Sequence, residues 1–208
     1  LANATSNELL IKVLYAPKLP RVASQRAIAG SSVGINCTAD ANPVAKLTLL
    51  KSNSTLSEAS QPTLLHSVPS ATRNLTGVYS CLASNSIGSA RRDFSLTVLY
   101  PPAVQAPSSV TVREGASLQV GCNVEAEPPP PFTVNWRHPG SGRLLGNSSQ
   151  LLITAAARTD AGEWTCEAQN LMSPSDGREP RNGRGSATVQ VTVQYPPGMP
   201  VVAFTAGT

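Results

Sequence analysis

Apolar and polar residues alternate along much of the chain with a period of two. Val33, Ile35 and Cys37 are interleaved with Ser32, Gly34 and Asn36, and Leu118, Val120 and Cys122 with Ser117, Gln119 and Gly121. Val189, Val191 and Val193 alternate in the same way with Thr188, Gln190 and Thr192. Such a pattern describes strands with one buried and one wet face. Turn clusters separate the runs, among them Ala41-Asn42-Pro43, Pro139-Gly140-Ser141-Gly142 and Asp160-Ala161-Gly162. Long helix-forming runs with a heptad period are missing, which excludes a coiled coil. Short strands at this spacing predict an all-β chain folded as two-sheet sandwiches.

A longer repeat marks boundaries. Ile11-Lys12-Val13-Leu14-Tyr15-Ala16-Pro17 recurs as Leu96-Thr97-Val98-Leu99-Tyr100-Pro101-Pro102, and again as Val191-Thr192-Val193-Gln194-Tyr195-Pro196-Pro197. Each copy is a strand that ends in tyrosine and is stopped by proline, which cannot continue a sheet ladder. The spacing predicts complete units at 15–99 and 100–194. Residues 1–14 read as the last strand of a preceding unit, and 195–208 as the first strand of a following one, so a piece of a longer array is expected. The Tyr-Ala-Pro and Tyr-Pro-Pro junctions leave almost no linker, and their proline rings restrict the backbone, which predicts limited bending.

Composition narrows the compartment. Charged residues make up 13% of the 208, against 15 glycines and 18 prolines. No stretch approaches the 18 apolar residues of a membrane-spanning helix, and the first residues lack the basic start and apolar run of a signal peptide. The net charge of +4 is scattered and implies no nucleic acid. Four cysteines stand at 37, 81, 122 and 166, and four allow three pairings. Equal separations of 44 inside the repeat favour Cys37 with Cys81 and Cys122 with Cys166. Zinc binding competes, but no two cysteines have the short spacing of a zinc site. His66 and His138 have no partner at ligand spacing. Asn-x-Ser/Thr acceptors occur at Asn3, Asn36, Asn53, Asn74 and Asn147. Together with the cysteine pairs they favour an oxidising, secretory environment.

The second unit carries Cys122, then Trp136, then Asp160-Ala161-Gly162-Glu163-Trp164-Thr165-Cys166; the first carries Gly77-Val78-Tyr79-Ser80-Cys81. These residues resemble immunoglobulin domains, whose strand-C tryptophan packs on a bridge between strands B and F. The resemblance implies tandem immunoglobulin-like sandwiches, with Tyr79 as a tyrosine corner. Departures are visible. Leu47 and Leu49 fall where the first unit lacks the tryptophan, Leu75 replaces the corner carboxylate, and Trp164 replaces the corner tyrosine. An indole donates one hydrogen bond but cannot copy a phenol hydroxyl, so different corner bonding is expected. Thr97-Val98-Leu99-Tyr100-Pro101-Pro102, and Gly142-Arg143-Leu144-Leu145-Gly146 ahead of Ser149-Gln150-Leu151, are also similar to the membrane-distant domains of siglecs and to nephrin-type adhesion proteins. The siglec lectin arginine has no counterpart around Cys81 or Cys166, so lectin activity is not implied.

The second unit has ten more residues than the first, between strands F and G, within 171–186. Gly, Pro and Ser dominate this stretch, which favours a flexible solvated loop. If it binds, Arg178, Arg181 and Arg184 would suit an acidic surface or a sulfated glycan. Pro128-Pro129-Pro130-Pro131 reads as a stiff loop before strand C, with groove docking as the alternative. Arg91 and Arg92 read as solvated edge charges. Three acceptors in the first unit against one in the second predict a better-shielded first unit. No nucleophile motif or phosphate loop occurs, so neither an enzyme nor a cofactor is expected. The resemblance implies an extracellular adhesion or recognition module of a cell-surface receptor. It would act by protein–protein contact and spacing, with another surface or extracellular protein as partner and its membrane anchor outside this segment. A secreted matrix scaffold, a receptor-kinase ectodomain and an intracellular muscle-type array are the alternatives, the last disfavoured by the cysteines and acceptors.

Overall fold

The computed structural model describes residues 11–129, 134–138, 140–145 and 148–197. The chain divides into two compact units, Leu1–Leu99 with Ser173–Pro180, and Tyr100–Met172 with Arg181–Thr208.

In the first unit, β1 (Tyr15–Lys18) is followed by β2 (Gln25–Ile28), β3 (Val33–Thr38) and β4 (Asp40–Asn42). Then come β5 (Lys46–Lys51), β6 (Ser54–Ala59), β7 (Thr63–Val68), β8 (Gly77–Ser84) and β9 (Ser89–Gln105). One layer pairs β1 with β4 and β3 with β7; the other runs β2-β9-β8-β5-β6, with β2 parallel to β9. The second unit takes its first strand from the end of β9, which pairs with β12 (Asn123–Glu127). It adds β10 (Ser109–Arg113), β11 (Leu118–Gly121), β13 (Val134–His138) and β14 (Arg143–Leu145). β15 (Gln150–Ile153), β16 (Gly162–Met172) and β17 (Arg181–Gln194) complete it. One layer joins β11 to β15 and β12 to β9; the other has the order β10-β17-β16-β13-β14. Both units are therefore two-sheet sandwiches of one topology.

The alternating residues meet between the sheets. Ile35, Leu47, Leu49, Tyr79, Leu96 and Val98 are buried in the first unit, and Trp136, Leu151, Trp164, Val189 and Val191 in the second. A disulfide ties the two layers in each, Cys37–Cys81 with a Cα separation of 5.9 Å and Cys122–Cys166 with 6.5 Å. A bridge of this kind adds about 2–4 kcal/mol by restricting the unfolded chain.

The missing tryptophan is offset by volume elsewhere. Leu49 stands opposite Cys81 where Trp136 stands opposite Cys166. Tyr79 is paired with Phe94, and the rings stack at 5.7 Å, whereas Trp164 is paired with the smaller Val189. One unit thus packs leucine, tyrosine and phenylalanine where the other packs two tryptophans and a valine. Cores tolerate such volume-conserving exchange.

The corner bond differs from expectation. Tyr79 Oη donates to the Leu75 carbonyl at 2.8 Å, and Trp164 Nε1 donates to the Asp160 carbonyl at 3.0 Å. The indole does copy the phenol, because both rings reach the carbonyl four residues back and only one donor is needed.

Candidate functional site

The outer face of the β10-β17-β16-β13-β14 sheet and the hairpin above it hold the residues singled out for binding. Much of the ten-residue difference is strand and not loop. β16 runs on to Met172 and β17 begins at Arg181, with Asn170 opposite Gly183, Leu171 opposite Asn182 and Met172 opposite Arg181. Only Ser173–Pro180 is irregular. Glycine in this stretch meets a packing demand. A Cβ at Gly183 would lie 2.8 Å from Pro101 Cα, and one at Gly185 would lie 2.1 Å from the Pro102 carbonyl oxygen. Strand β17 therefore needs glycine where the chain after Tyr100 crosses it.

The three arginines do not form one patch. Arg178 lies between the strands and is paired with Asp176 at 3.2 Å. Arg181 and Arg184 both lie on β17. Their odd separation sends them to opposite faces of the ribbon, because side chains alternate along a strand. Arg184 shares a small depression of about 220 Å³ with Glu167, Ala168, Gln169, Gly185 and Ser186. That is below the usual volume of a small-molecule site, and its mixed charge suits a protein side chain better than a polyanion. Beside it Arg137 Nε lies 3.5 Å from Glu167 Oε1, both partly exposed. Such a surface pair contributes about 0–1 kcal/mol and stays available to a partner. Leu171 and Leu144 are exposed on the same face, 51% and 55% respectively.

In the first unit the corresponding face carries its own polar network, and Val78 is exposed on it. Ser80 Oγ donates to Asp93 Oδ1 at 2.6 Å, and Arg91 reaches both Asp93 and Ser80. Lys46 pairs with Glu58 at 2.7 Å. Arg91 is thus a member of a face network rather than a free edge charge, while Arg92 is exposed. Hydrogen bonds from Ser80 and then from Arg91 hold the Asp93 carboxyl below its ordinary range.

Of the glycosylation acceptors, Asn36, Asn53 and Asn74 are exposed, on β3, in the β5–β6 turn and in the turn before β8. Asn3 and Asn147 lie outside the described residues, as do Pro130 and Pro131. His66 is half-buried on β7. His138 is buried against Trp164, with Nδ1 2.7 Å from Ser141 Oγ and Nε2 3.2 Å from the Ala161 carbonyl. Among the described residues no group of three or more His, Cys, Asp or Glu could hold a metal, and no helix is long and apolar enough to cross a membrane.

Three structural residues escaped the sequence reading. Asn85 Nδ2 donates to the carbonyls of Tyr15 and Pro43, and Asn170 Nδ2 to those of Tyr100 and Pro128, all at 2.9 Å. The signal was present: Cys81-Leu82-Ala83-Ser84-Asn85 and Cys166-Glu167-Ala168-Gln169-Asn170 share cysteine, alanine and asparagine at equal offsets. The third is Arg143, whose Nη1 lies 2.8 Å from the buried Asp160 carboxylate.

Models of the immunoglobulin domain match residues 16–98 and again 101–170. This chain belongs to the immunoglobulin superfamily. Human myelin-associated glycoprotein, a siglec, is 32% identical over 161 residues, covering 76% of this chain and 26% of that protein. Human Kin of IRRE-like protein 2, which is nephrin-like, is 31% identical over 192 residues, covering 91% and 26%. Human intercellular adhesion molecule 5 is 32% identical over 193 residues, covering 90% and 19%. The immunoglobulin pair thus spans about a quarter or less of these relatives. Both likenesses expected from the sequence, to siglecs and to nephrin-type proteins, hold. The immunoglobulin adhesion family to which the chain is homologous is non-enzymatic.

Proposed function

We propose that these two immunoglobulin domains form an extracellular adhesion or recognition segment of a cell-surface receptor. They act by protein–protein contact, and the short proline-stopped junction supports a second role as a spacer. The observation that carries the reading is the mixed outer sheet face of the second domain. It presents Arg137, Glu167 and Arg184, with the exposed Leu144 and Leu171, at and around a depression of side-chain size. Exposed apolar side chains set among charges of both signs match the make-up of protein contact surfaces. Homology to an intercellular adhesion molecule supports the same reading.

The test is adhesion by chain displayed at high density on beads, scored against identical beads and against a panel of cells. Saturable attachment that weakens on Arg184→Glu is expected. Attachment indifferent to Arg184→Glu, Arg137→Glu and Leu171→Ser would remove this face from the proposal, and no attachment at any density would remove the adhesive role.

A further inference from the structure

The outer face of the β3–β7 layer in the first domain carries an apolar side chain that the fold leaves unused. Leu65 on β7 is 64% exposed, and the antiparallel register sets it directly opposite Asn36 on β3. Opposed residues of such a pair have Cβ atoms about 4.5–5.5 Å apart on one face. Gly34 lies on the same face, and a Cβ built on it would be 3.5 Å from Leu65 Cδ1. Leu65 therefore leans across the strip that glycine leaves bare, beside Asn36. Asn36-Cys37-Thr38 is a glycosylation acceptor whose first and third residues are both exposed on this face, while Cys37 is buried in its bridge.

We propose that Asn36 carries an N-linked glycan whose first N-acetylglucosamine lies over Leu65 and the backbone at Gly34. Carbohydrate, and not a protein partner, then covers this sheet face. The transfer is balanced with a polyprenyl-diphosphate oligosaccharide as donor. Asn36 Nδ2 forms the bond to C1 of the sugar, the C1–O bond to the polyprenyl diphosphate breaks, and the amide proton is lost as polyprenyl diphosphate leaves with the electron pair. The sugar ring brings a face of C–H groups and an acetyl methyl, which remove apolar leucine surface from water, while its hydroxyls remain solvated. Asn53 and Asn74, both in turns, have no exposed leucine opposite them in a strand register.

The inference rests on the extracellular reading, and one experiment separates the two. The full chain is secreted from glycosylating cells as wild type, Asn36→Gln, Thr38→Ala, Leu65→Ser and the Asn36→Gln/Leu65→Ser double variant. Glycopeptide mass spectrometry reads occupancy, and thermal unfolding reads stability. Asn36 is expected to be occupied. Either acceptor variant lowers the first domain's midpoint by about 4 °C, whereas trimming the wild-type glycans to one sugar leaves it in place. In the Leu65→Ser background the loss of the acceptor moves the midpoint by less than half as much. Occupied acceptors elsewhere with a bare Asn36 overturn this inference alone. Bare acceptors throughout overturn the extracellular reading with it. Occupancy at Asn36 with additive effects of the two substitutions overturns the contact with Leu65.

Discussion

Asn85 and Asn170 do the same work in two settings. Each amide clamps two carbonyls from distant parts of its domain, that of the boundary tyrosine (Tyr15 or Tyr100) and that of the proline just after β4 or β12 (Pro43 or Pro128). In the first domain the Oδ1 of Asn85 also accepts from the backbone of Ile87 and Gly88, closing a tight turn. In the second the hairpin runs on past Asn170, so no such turn forms and its buried Oδ1 lacks a partner. Asn170 is only 3% exposed, so water cannot take over the two carbonyls if the amide is removed. Asn170→Ala is expected to destabilise the second domain by about 2–3 kcal/mol, read as a lower urea midpoint at unchanged slope. A shift below a few tenths of a kcal/mol would mean that the carbonyls find other donors.

Asp93 shows a residue-level effect that depends on pH. Its folded-state pKa is depressed, by hydrogen bonding from Ser80 first and by Arg91 next. A depressed carboxylate contributes stability above its unfolded pKa, near 3.9, and that contribution is lost as pH falls through the lower folded pKa. Carbon-13 titration should therefore place the Asp93 midpoint below 3.9, and Ser80→Ala should raise it. A midpoint that does not respond to Ser80→Ala would assign the depression to Arg91 alone. The carboxylate is exposed, so the effect belongs to the titration curve more than to global stability.

At the scale of the element, the β16–β17 hairpin shows where composition misleads. Gly183, Arg184, Gly185 and Ser186 read as loop residues, yet they continue a strand register that runs unbroken from Met172/Arg181 to Gly162/Val191. The glycines are present because proline-bearing backbone lies against them, a long-range contact with no local signature. Gly183→Ala would force Pro101 or Asn170 to move and is expected to cost about 1–3 kcal/mol, seen as earlier unfolding of the second domain. Were the stretch a solvated loop, the same change would be neutral or slightly stabilising. The strands that could be read directly were those with strict alternation, such as Val33–Thr38 and Leu118–Gly121, because one buried face imposes the period. Leu49 was legible as a filler for the missing tryptophan. Its partner in the exchange, Phe94, was not, because it comes from a neighbouring strand and only the register joins them.

At the scale of the whole molecule, the repeats, the cysteine spacing and the corner motifs were enough to read two sandwiches. Clamps and faces needed the register, and the supposed arginine cluster came apart because Arg181 and Arg184 differ by an odd number of residues. What the structure adds for function is the mixed face of the β16–β17 sheet in the second domain. A bulky glycan placed on that face or on the opposite one tests its role without disturbing the core. Arg184→Asn creates an acceptor with Gly185 and Ser186 on the outward side of β17. Gln119→Asn with Gly121→Thr creates one on β11, in the opposite sheet, where a Cβ at Gly121 meets nothing within 4 Å. If the β16–β17 face makes the adhesive contact, the first glycan should lower bead or cell attachment roughly tenfold, the equivalent of about 1.4 kcal/mol. The second should leave attachment within about twofold, because it stands on a face that the contact does not use. Arg184→Gln separates loss of the guanidinium from bulk, and a smaller loss than with the glycan is expected. Equal losses from the two glycans would show that attachment uses both sheets of the second domain. A loss confined to the β11 glycan would move the contact to the layer of β11 and β15, and with it the assignment of which face meets the partner.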